Sequence, residues 1–261
     1  MDSGKTREQQ EKFWNSRSET FPRYEEGEDS YEAGMLNAAR SLGVVFKDAE
    51  VLDVGCGSGM YTIRLAKEAK LVTAVDISGE MLRILREDAA AQGLTNIDTY
   101  QCDWPEFKSD RKFDVVFCSM TPAVQSDEGR EKLLRHAGGW VVYMGFADRI
   151  DKGMAAKLYE HYEIKPKQFH DALLMRKWLE SKGLSFSSYS AKGEWVIPRT
   201  RDEAMSICGG ILKMHNLEPD ADVMDMCLRE SLDENGRYTE RTEYNIDMIV
   251  FDMRTQKKGA F

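Results

Sequence analysis

The sequence predicts an α/β protein with a doubly wound, mostly parallel sheet, helices at its N-terminal end and a helical insert near its C-terminal end. Seven apolar segments, several of them rich in β-branched residues, have the length of strands. Helical segments alternate with most of these strands between residues 50 and 146. The first strands are continuously apolar, which is typical of parallel strands buried on both faces.

Length and composition are those of an ordinary globular protein. The chain has 261 residues, of which 42% are hydrophobic and 31% charged, which allows one large domain or two small ones. This composition excludes collagen-like, coiled-coil and wholly disordered chains. The net charge of −9 disfavours binding to nucleic acid, although a local basic patch would override that average.

The cysteine pattern and the N-terminal composition indicate the cellular compartment of the protein. The five cysteines form no CxxC pair, so we expect neither a disulfide framework nor a metal site, and we predict a cytoplasmic protein. No apolar run is long enough for a transmembrane helix. The first 30 residues are densely charged, so we expect no signal peptide.

Residues 1–43 are predicted to form a helical leader or cap on a main domain over 44–261. Phe13, Trp14, Arg17 and Phe21 lie near one face at helical spacing, and Pro22 ends that helix. A second helix is predicted over 31–42. The further elements are expected as strands at 50–54, 71–75, 97–101, 113–118, 140–146, 184–197 and 244–254, and as helices at 60–69, 79–92, 126–136, 154–162, 166–182, 200–216 and 220–232. The last two helices define the insert, at about 198–235.

The most informative segment is the glycine turn at residues 51–59, which read VLDVGCGSG. Glycines at alternate positions allow a tight turn and the close approach of a ligand, and the following helix N-terminus presents free N–H groups. A dinucleotide fingerprint would place its third glycine one residue later. Asp53 would repel a pyrophosphate but suits a ligand with a positive amino group.

This segment resembles motif I, [DE]-x-G-x-G-x-G, of the class I S-adenosylmethionine-dependent methyltransferases. The resemblance covers about residues 48–146 and a plausible final strand, and it implies a Rossmann-like, seven-stranded sheet and the cofactor S-adenosylmethionine. In the motif itself it implies cofactor contacts from Asp53, Gly55, Cys56, Gly57 and Gly59.

Later segments repeat the order of the family. Asp76 ends an apolar strand 23 residues after Asp53, where a carboxylate accepts hydrogen bonds from ribose hydroxyls. By resemblance, Ile77 packs on the adenine and Met81 also contacts the cofactor. Asp103 matches the acid that accepts from the adenine amino group, while Trp104 is either a wall for the adenine or a core residue.

The fourth strand ends at Ser119, which the resemblance places beside the cofactor, and Met120 and Thr121 follow as candidate substrate contacts. The segment lacks the [DNS]PP[YFW] motif of the amino-methylating DNA and glutamine methyltransferases, which disfavours methylation of an exocyclic base nitrogen or a side-chain amide. In this family the N-terminal helix often folds over the cofactor, so further candidate substrate contacts are Trp14, Arg17, Tyr24 and Tyr31.

The leading hypothesis is methyl transfer from S-adenosylmethionine to a small-molecule acceptor. The alternatives are an RNA or protein methyltransferase, a non-catalytic S-adenosylmethionine-binding protein and an NAD-dependent oxidoreductase. Methyl transfer from a sulfonium needs no obligatory acid–base pair, and the sequence shows no convincing catalytic dyad. The acceptor atom and the oligomeric state stay open at this point.

Overall fold

A seven-stranded sheet in the order β3-β2-β1-β4-β5-β7-β6 organises the protein. The structure is a computed structural model that describes residues 6–166 and 170–256. The four adjacent pairs from β3 to β5 are parallel. The predicted α/β class and the mostly parallel, seven-stranded sheet are therefore confirmed.

The elements follow the order that the sequence predicts. The strands are β1 (Glu50–Val54), β2 (Leu71–Asp76), β3 (Ile97–Gln101), β4 (Phe113–Ser119), β5 (Ala137–Gly153), β6 (Ser187–Arg199) and β7 (Tyr238–Asp252). The helices are α1 (Arg7–Arg17), α2 (Tyr31–Ser41), α3 (Met60–Ala66), α4 (Gly79–Ala91), α5 (Asp127–His136), α6 (Met154–His161), α7 (Asp171–Ser181), α8 (Arg201–Met214) and α9 (Ala221–Leu228). The helix predicted over 166–182 is described from residue 171 onward, and residues 167–169 lie outside the described residues.

Local chemistry explains where the helices around the cleft begin. The Ser78 hydroxyl accepts a hydrogen bond from the Met81 N–H at 3.1 Å and so caps α4. The Ser126 hydroxyl caps α5 in the same way, by accepting from the Gly129 N–H at 3.0 Å. Both caps direct a helix away from the carboxyl edge of the sheet, where ligands of parallel α/β sheets bind.

The chain divides into two compact units, and three strands run through both. The first unit comprises the described parts of residues 1–145, 171–189 and 247–261. Its core packs Leu52, Val116 and Ile249 of the sheet together with Trp178 of α7. Residues 6–43, predicted as a separate cap, belong to this unit.

The second unit comprises the described parts of residues 146–170 and 190–246. The helices α6, α8 and α9 share one apolar core there, in which Leu158, Leu212 and Leu228 are fully buried. The Arg199 guanidinium pairs with the Glu240 carboxylate at 2.7 Å. The proposed insert over 198–235 lies within this unit, and α6 packs with it.

The later strands are longer than the sequence predicts. Strand β5 was expected over 140–146 but spans 17 residues, and β7 begins at Tyr238 rather than at residue 244. Their extensions carry charged residues such as Asp148 and Asp151, so an apolar pattern does not mark them. No helix within the described ranges is both long and apolar enough to cross a membrane.

Candidate active site

A cleft opens at the carboxyl ends of β1, β2, β3 and β4, within the first unit. It holds about 980 Å³ including its open mouth. The lining residues that the sequence analysis placed in the site are Trp14, Asp53, Gly55, Cys56, Gly57, Asp76, Ile77, Met81, Asp103, Trp104, Ser119, Met120 and Thr121. The structure therefore brings together residues that are spread over more than 100 positions of the sequence.

The glycine turn forms the floor of this cleft. Gly55, Gly57 and Gly59 have φ angles of 68°, 54° and 89°, a left-handed conformation that side chains disfavour. A β-carbon on Gly59 would overlap the Leu85 side chain, and one on Gly55 would overlap the Thr121 hydroxyl. Glycine is thus required here both by backbone conformation and by close packing.

Asp76 lies directly beside the turn. Its two carboxylate oxygens accept hydrogen bonds from the backbone N–H groups of Gly57 and Ser78, each at 2.8 Å. Burial raises the pKa of the Asp76 carboxyl, while these backbone hydrogen bonds oppose that shift. A carboxylate oxygen has more than one lone pair, so both oxygens can accept further hydrogen bonds from ligand hydroxyls.

Asp53 is more deeply buried, with 2% of its surface exposed. The Thr62 hydroxyl donates a 2.6 Å hydrogen bond to its carboxyl group. Burial raises the pKa of Asp53 to about 7, and the nearby charge of Asp76 adds to the effect, while the Thr62 hydrogen bond opposes it. No Lys or Arg lines the described part of the cleft, so a cationic ligand group would be the first positive charge close to this carboxyl.

The Cys56 thiol lies in the same turn. Burial raises its pKa well above the usual value, and the carboxyl groups of Asp76 and Asp53 raise it further. The thiol therefore stays protonated at neutral pH. Its sulfur lies 3.8 Å from the Gly57 carbonyl oxygen, which is a long contact.

After β3 the chain makes a short 3₁₀ turn over Trp104–Glu106. The Asp103 carboxylate caps this turn by accepting from the Trp104 N–H at 2.8 Å. Trp104 is 2% exposed, and its indole N–H donates to the Gly129 carbonyl oxygen at 3.0 Å. Trp104 is therefore a core residue that also lines the cleft.

The end of β4 forms a further wall of the cleft. Met120 has a φ angle of 49°, a conformation that costs energy for a residue other than glycine, and its N–H donates to the Met144 carbonyl oxygen at 2.8 Å. The Thr121 hydroxyl accepts from the Ala123 N–H at 3.3 Å. These contacts hold a sharp turn at the strand end, beside the glycine turn.

The leader, defined as residues 6–30, covers part of the cleft. Trp14 and Phe21 line it, and a β-carbon on Gly57 would lie 3.6 Å from the Phe21 ring. The Asn15 side-chain oxygen accepts from the Ser78 hydroxyl at 2.7 Å. The Ser58 hydroxyl donates to the backbone carbonyl of Pro22 at 2.6 Å, which ties the leader to the glycine turn.

Three candidate substrate residues lie outside the cleft lining. The Tyr24 hydroxyl accepts from the Lys67 ammonium at 2.8 Å, and the Arg64 guanidinium lies 5.2 Å from the Tyr24 ring centre. Arg17 is in the last turn of α1. Tyr31 begins α2 and is near enough to Tyr61 to raise the pKa of the Tyr61 hydroxyl.

Sequence reasoning missed several lining residues. Those without a predicted site role are Gln10, Phe21, Ser58, Met60, Tyr61, Val75, Cys102 and Ala123. Ser58, Met60 and Tyr61 flank the third glycine, so the start of α3 was a usable signal. Within the described ranges, no group of three or more His, Cys, Asp or Glu residues is placed to hold a metal ion.

Comparison with known proteins also indicates a methyltransferase domain. Residues 51–142 match the family model of a methyltransferase domain. The ubiquinone biosynthesis O-methyltransferase of Coxiella burnetii (strain RSA 331) is 31% identical over 157 residues, which cover 54% of this chain and 65% of the relative. A Geobacillus sp. protein whose methyltransferase name is itself an inference is 42% identical over 88 residues, 33% of this chain and 35% of that protein. The chain thus spans less than two thirds of the length of these curated relatives.

Structural comparison agrees at the level of the fold. The crystal structure of magnesium protoporphyrin IX methyltransferase from Synechocystis PCC 6803, with bound S-adenosylhomocysteine, aligns with a TM-score of 0.54 at 16% identity. The alignment covers 92% of this chain and 98% of that protein. The oxidoreductase alternative finds no support in these matches. Residues 51–142 therefore form a methyltransferase domain.

Proposed function

We propose that this protein transfers a methyl group from S-adenosylmethionine to an oxygen atom of a small-molecule acceptor. The proposal rests mainly on one observation, the juxtaposition of the buried Asp76 carboxylate with the three left-handed glycines of the turn. The choice of an oxygen acceptor draws on the likeness to the Coxiella O-methyltransferase.

The residues of the cleft fit this cofactor. The Asp76 carboxylate can accept from ribose hydroxyls, and Asp103 can accept from the adenine amino group. Asp53 suits a positively charged amino group, because such a group would favour the ionised carboxyl that burial disfavours. The Phe21 ring lies over Gly57, within van der Waals distance of where a β-carbon would be, and forms one apolar wall of the cleft.

Bound S-adenosylmethionine supplies a methyl group made electrophilic by a positively charged sulfur. The chain need not stabilise an anion on the departing sulfur, so positioning and exclusion of water are its main tasks. Trp14 and Phe21 supply apolar surface for that exclusion. Burial raises the pKa of the Tyr61 hydroxyl well above its usual value, so Tyr61 can donate a hydrogen bond to an acceptor but does not act as a base.

Charge favours a small acceptor over RNA. The described lining of the cleft contains three carboxyl groups, those of Asp53, Asp76 and Asp103, and neither Lys nor Arg. A polyanion entering this cleft would meet like charge without compensation. We also propose a cytoplasmic location, which the five cysteines without disulfide bonds support.

Calorimetric titration with S-adenosylhomocysteine tests the cofactor site. We expect binding by the unmodified protein, and Asp76→Ala to weaken it by about 1.5–3 kcal/mol, the range for hydrogen bonds to a charged group. Asp98→Ala is the matched control, because Asp98 is an exposed aspartate on the neighbouring strand β3. An unchanged dissociation constant in Asp76→Ala would remove the ribose assignment.

Transfer itself is tested by incubating the protein with isotopically labelled S-adenosylmethionine and a metabolite extract, followed by mass spectrometry. The proposal expects label in a small molecule, on oxygen. Folded protein that binds no cofactor at millimolar concentration, or label found only in RNA or protein, would contradict it.

A further inference from the structure

Lys132 is a lysine of α5 with only 8% of its surface exposed. Its ammonium group donates hydrogen bonds to the backbone carbonyl oxygens of Trp104 and Pro105, at 2.6 and 2.8 Å. Lysine is rarely buried to this extent, because removing an ammonium from water is costly unless its hydrogen bonds are replaced. Here two carbonyl oxygens of one short turn replace them.

The same ammonium group lies 4.9 Å from the centre of the Trp104 ring, a cation–π distance. The Trp104 indole N–H in turn donates to the carbonyl oxygen of Gly129, three residues before Lys132 on α5. Helix α5 therefore holds the turn over Trp104–Glu106 in two ways, by the Gly129 carbonyl oxygen that accepts from the indole and by the Lys132 side chain. Burial lowers the pKa of Lys132, which shows the cost of placing the charge there.

The turn that Lys132 holds is the turn that Asp103 caps. Asp103 lines the cleft, and its carboxylate accepts from the Trp104 N–H at 2.8 Å. A shift of the Trp104 backbone would therefore move the Asp103 carboxylate. Lys132 does not itself line the cleft, so its effect on a ligand passes through this turn and through the charge interaction with Asp103.

We propose that Lys132 is a positioning residue for adenine recognition, which fixes the Trp104–Pro105 backbone so that Asp103 presents its carboxylate to the adenine amino group. The inference rests on the proposed cofactor. Lys132 was not singled out by the sequence. Its expected contribution is to selectivity for the base rather than to overall affinity for the ligand.

The test compares two ligands that differ only in the base, S-adenosylhomocysteine and S-inosylhomocysteine. The inosine base carries an oxo group in place of the amino group, so a carboxylate at that position would reject it. We expect the unmodified protein to prefer the adenosyl compound by roughly tenfold or more, the effect of losing one hydrogen bond to a charged group. In Lys132→Met the preference should fall to about threefold or less, and Lys132→Arg, which keeps a donor, should restore it.

Lys182→Met is the matched control. The Lys182 ammonium also lies over a tryptophan ring, 5.5 Å from the centre of Trp178, and donates to the Glu131 carboxylate at 2.8 Å. Neither Lys182 nor Trp178 lines the cleft, so the base preference should be unchanged. Circular dichroism verifies folding, and Lys132→Gln replaces Lys132→Met if the latter does not fold.

The outcomes separate the two proposals. An unmodified protein that binds neither ligand overturns the proposed cofactor. Binding with a base preference that survives in Lys132→Met, even at lower affinity for both ligands, overturns the positioning role alone. Equal binding of both ligands by the unmodified protein also overturns the positioning role.

Discussion

A single buried carboxyl group, that of Asp53, couples the stability of the folded chain to pH. Burial raises its pKa to about 7, whereas an unfolded aspartate titrates near 4. Between these two values the folded residue keeps a proton that the unfolded residue has lost. The free energy of unfolding therefore decreases as pH rises through this window, and the contribution becomes constant above about pH 7.

Replacement of this carboxyl tests the coupling. We expect Asp53→Asn, which retains an oxygen that can accept from Thr62, to lose less stability than the unmodified protein between pH 4 and 7. Over the full window, the change in the free energy of unfolding should differ between the two proteins by roughly 4 kcal/mol, because the shift is about three pKa units and each unit corresponds to about 1.36 kcal/mol. Urea denaturation at each pH measures it.

Asp98→Asn serves as the control, because Asp98 is exposed and its profile should follow that of the unmodified protein. Parallel profiles for Asp53→Asn and the unmodified protein would show that Asp53 titrates normally.

The individual residues that could be predicted from the sequence are those in short motifs with constrained backbone conformation. The three glycines, Asp53 and Asp76 stand within or next to short motifs, so their positions could be predicted. Lys132 could not, because its burial depends on a turn 28 residues earlier in the chain, and a lysine in an amphipathic helix normally indicates a solvent-exposed face. The same holds for Tyr24, whose partner Lys67 is 43 residues away.

At the level of elements, the leader is largely exposed to solvent but is attached to α3 and α4 by ion pairs and hydrogen bonds. Of residues 6–30 only Ser18 is buried. The Arg23 guanidinium pairs with Asp88 and Glu87 of α4. The Arg64 guanidinium donates to the backbone carbonyls of Glu25 and Gly27, at 2.6 and 3.0 Å. Such a segment covers a ligand while contributing little to the core.

Deletion of residues 1–30 should therefore affect ligand exchange more than folding. We expect the dissociation rate of S-adenosylhomocysteine to rise at least roughly tenfold, since a covering element is lost. The free energy of unfolding should fall by less than about 2 kcal/mol, because exposed ion pairs contribute about 0–1 kcal/mol each. Stopped-flow fluorescence and urea denaturation give the two quantities.

A point variant refines this experiment. Arg23→Ala should accelerate dissociation about two- to fivefold, in keeping with the loss of exposed ion pairs. Arg86→Ala is its control, since Arg86 is on α4 and its guanidinium donates to the Thr99 hydroxyl of β3 at 3.3 Å. Unchanged ligand exchange after the deletion would mean that the leader does not retain the ligand.

Over the whole molecule, the strands β1 to β4 and their parallel pairing could be predicted because each is a short apolar run beside a turn or helix signal. The lengths of β5 and β7 could not, since the second half of β5 and the first half of β7 mix charged and apolar residues and belong to the second unit. The grouping of α6 with α8 and α9 depends on contacts far apart in sequence. Long-range packing of this kind leaves no local pattern.

The net charge of the whole molecule leads to a prediction about RNA binding. With a net charge of −9 and an acidic cleft, the protein should show no retention of total RNA in a filter-binding assay at about 50 mM salt, where phosphate contacts are strong. A basic RNA-binding protein provides the positive control. Salt-sensitive retention would favour the RNA methyltransferase alternative.

The protonated state of Cys56 has a consequence for an enzyme that handles an alkylating agent. A cleft that holds a reactive methyl donor endangers its own nucleophiles, and a thiol is an effective nucleophile only as a thiolate. Two carboxyl groups and burial keep the Cys56 sulfur in its unreactive form. Under the proposed function, the acidic surroundings that suit the cofactor would also disfavour methylation of this thiol.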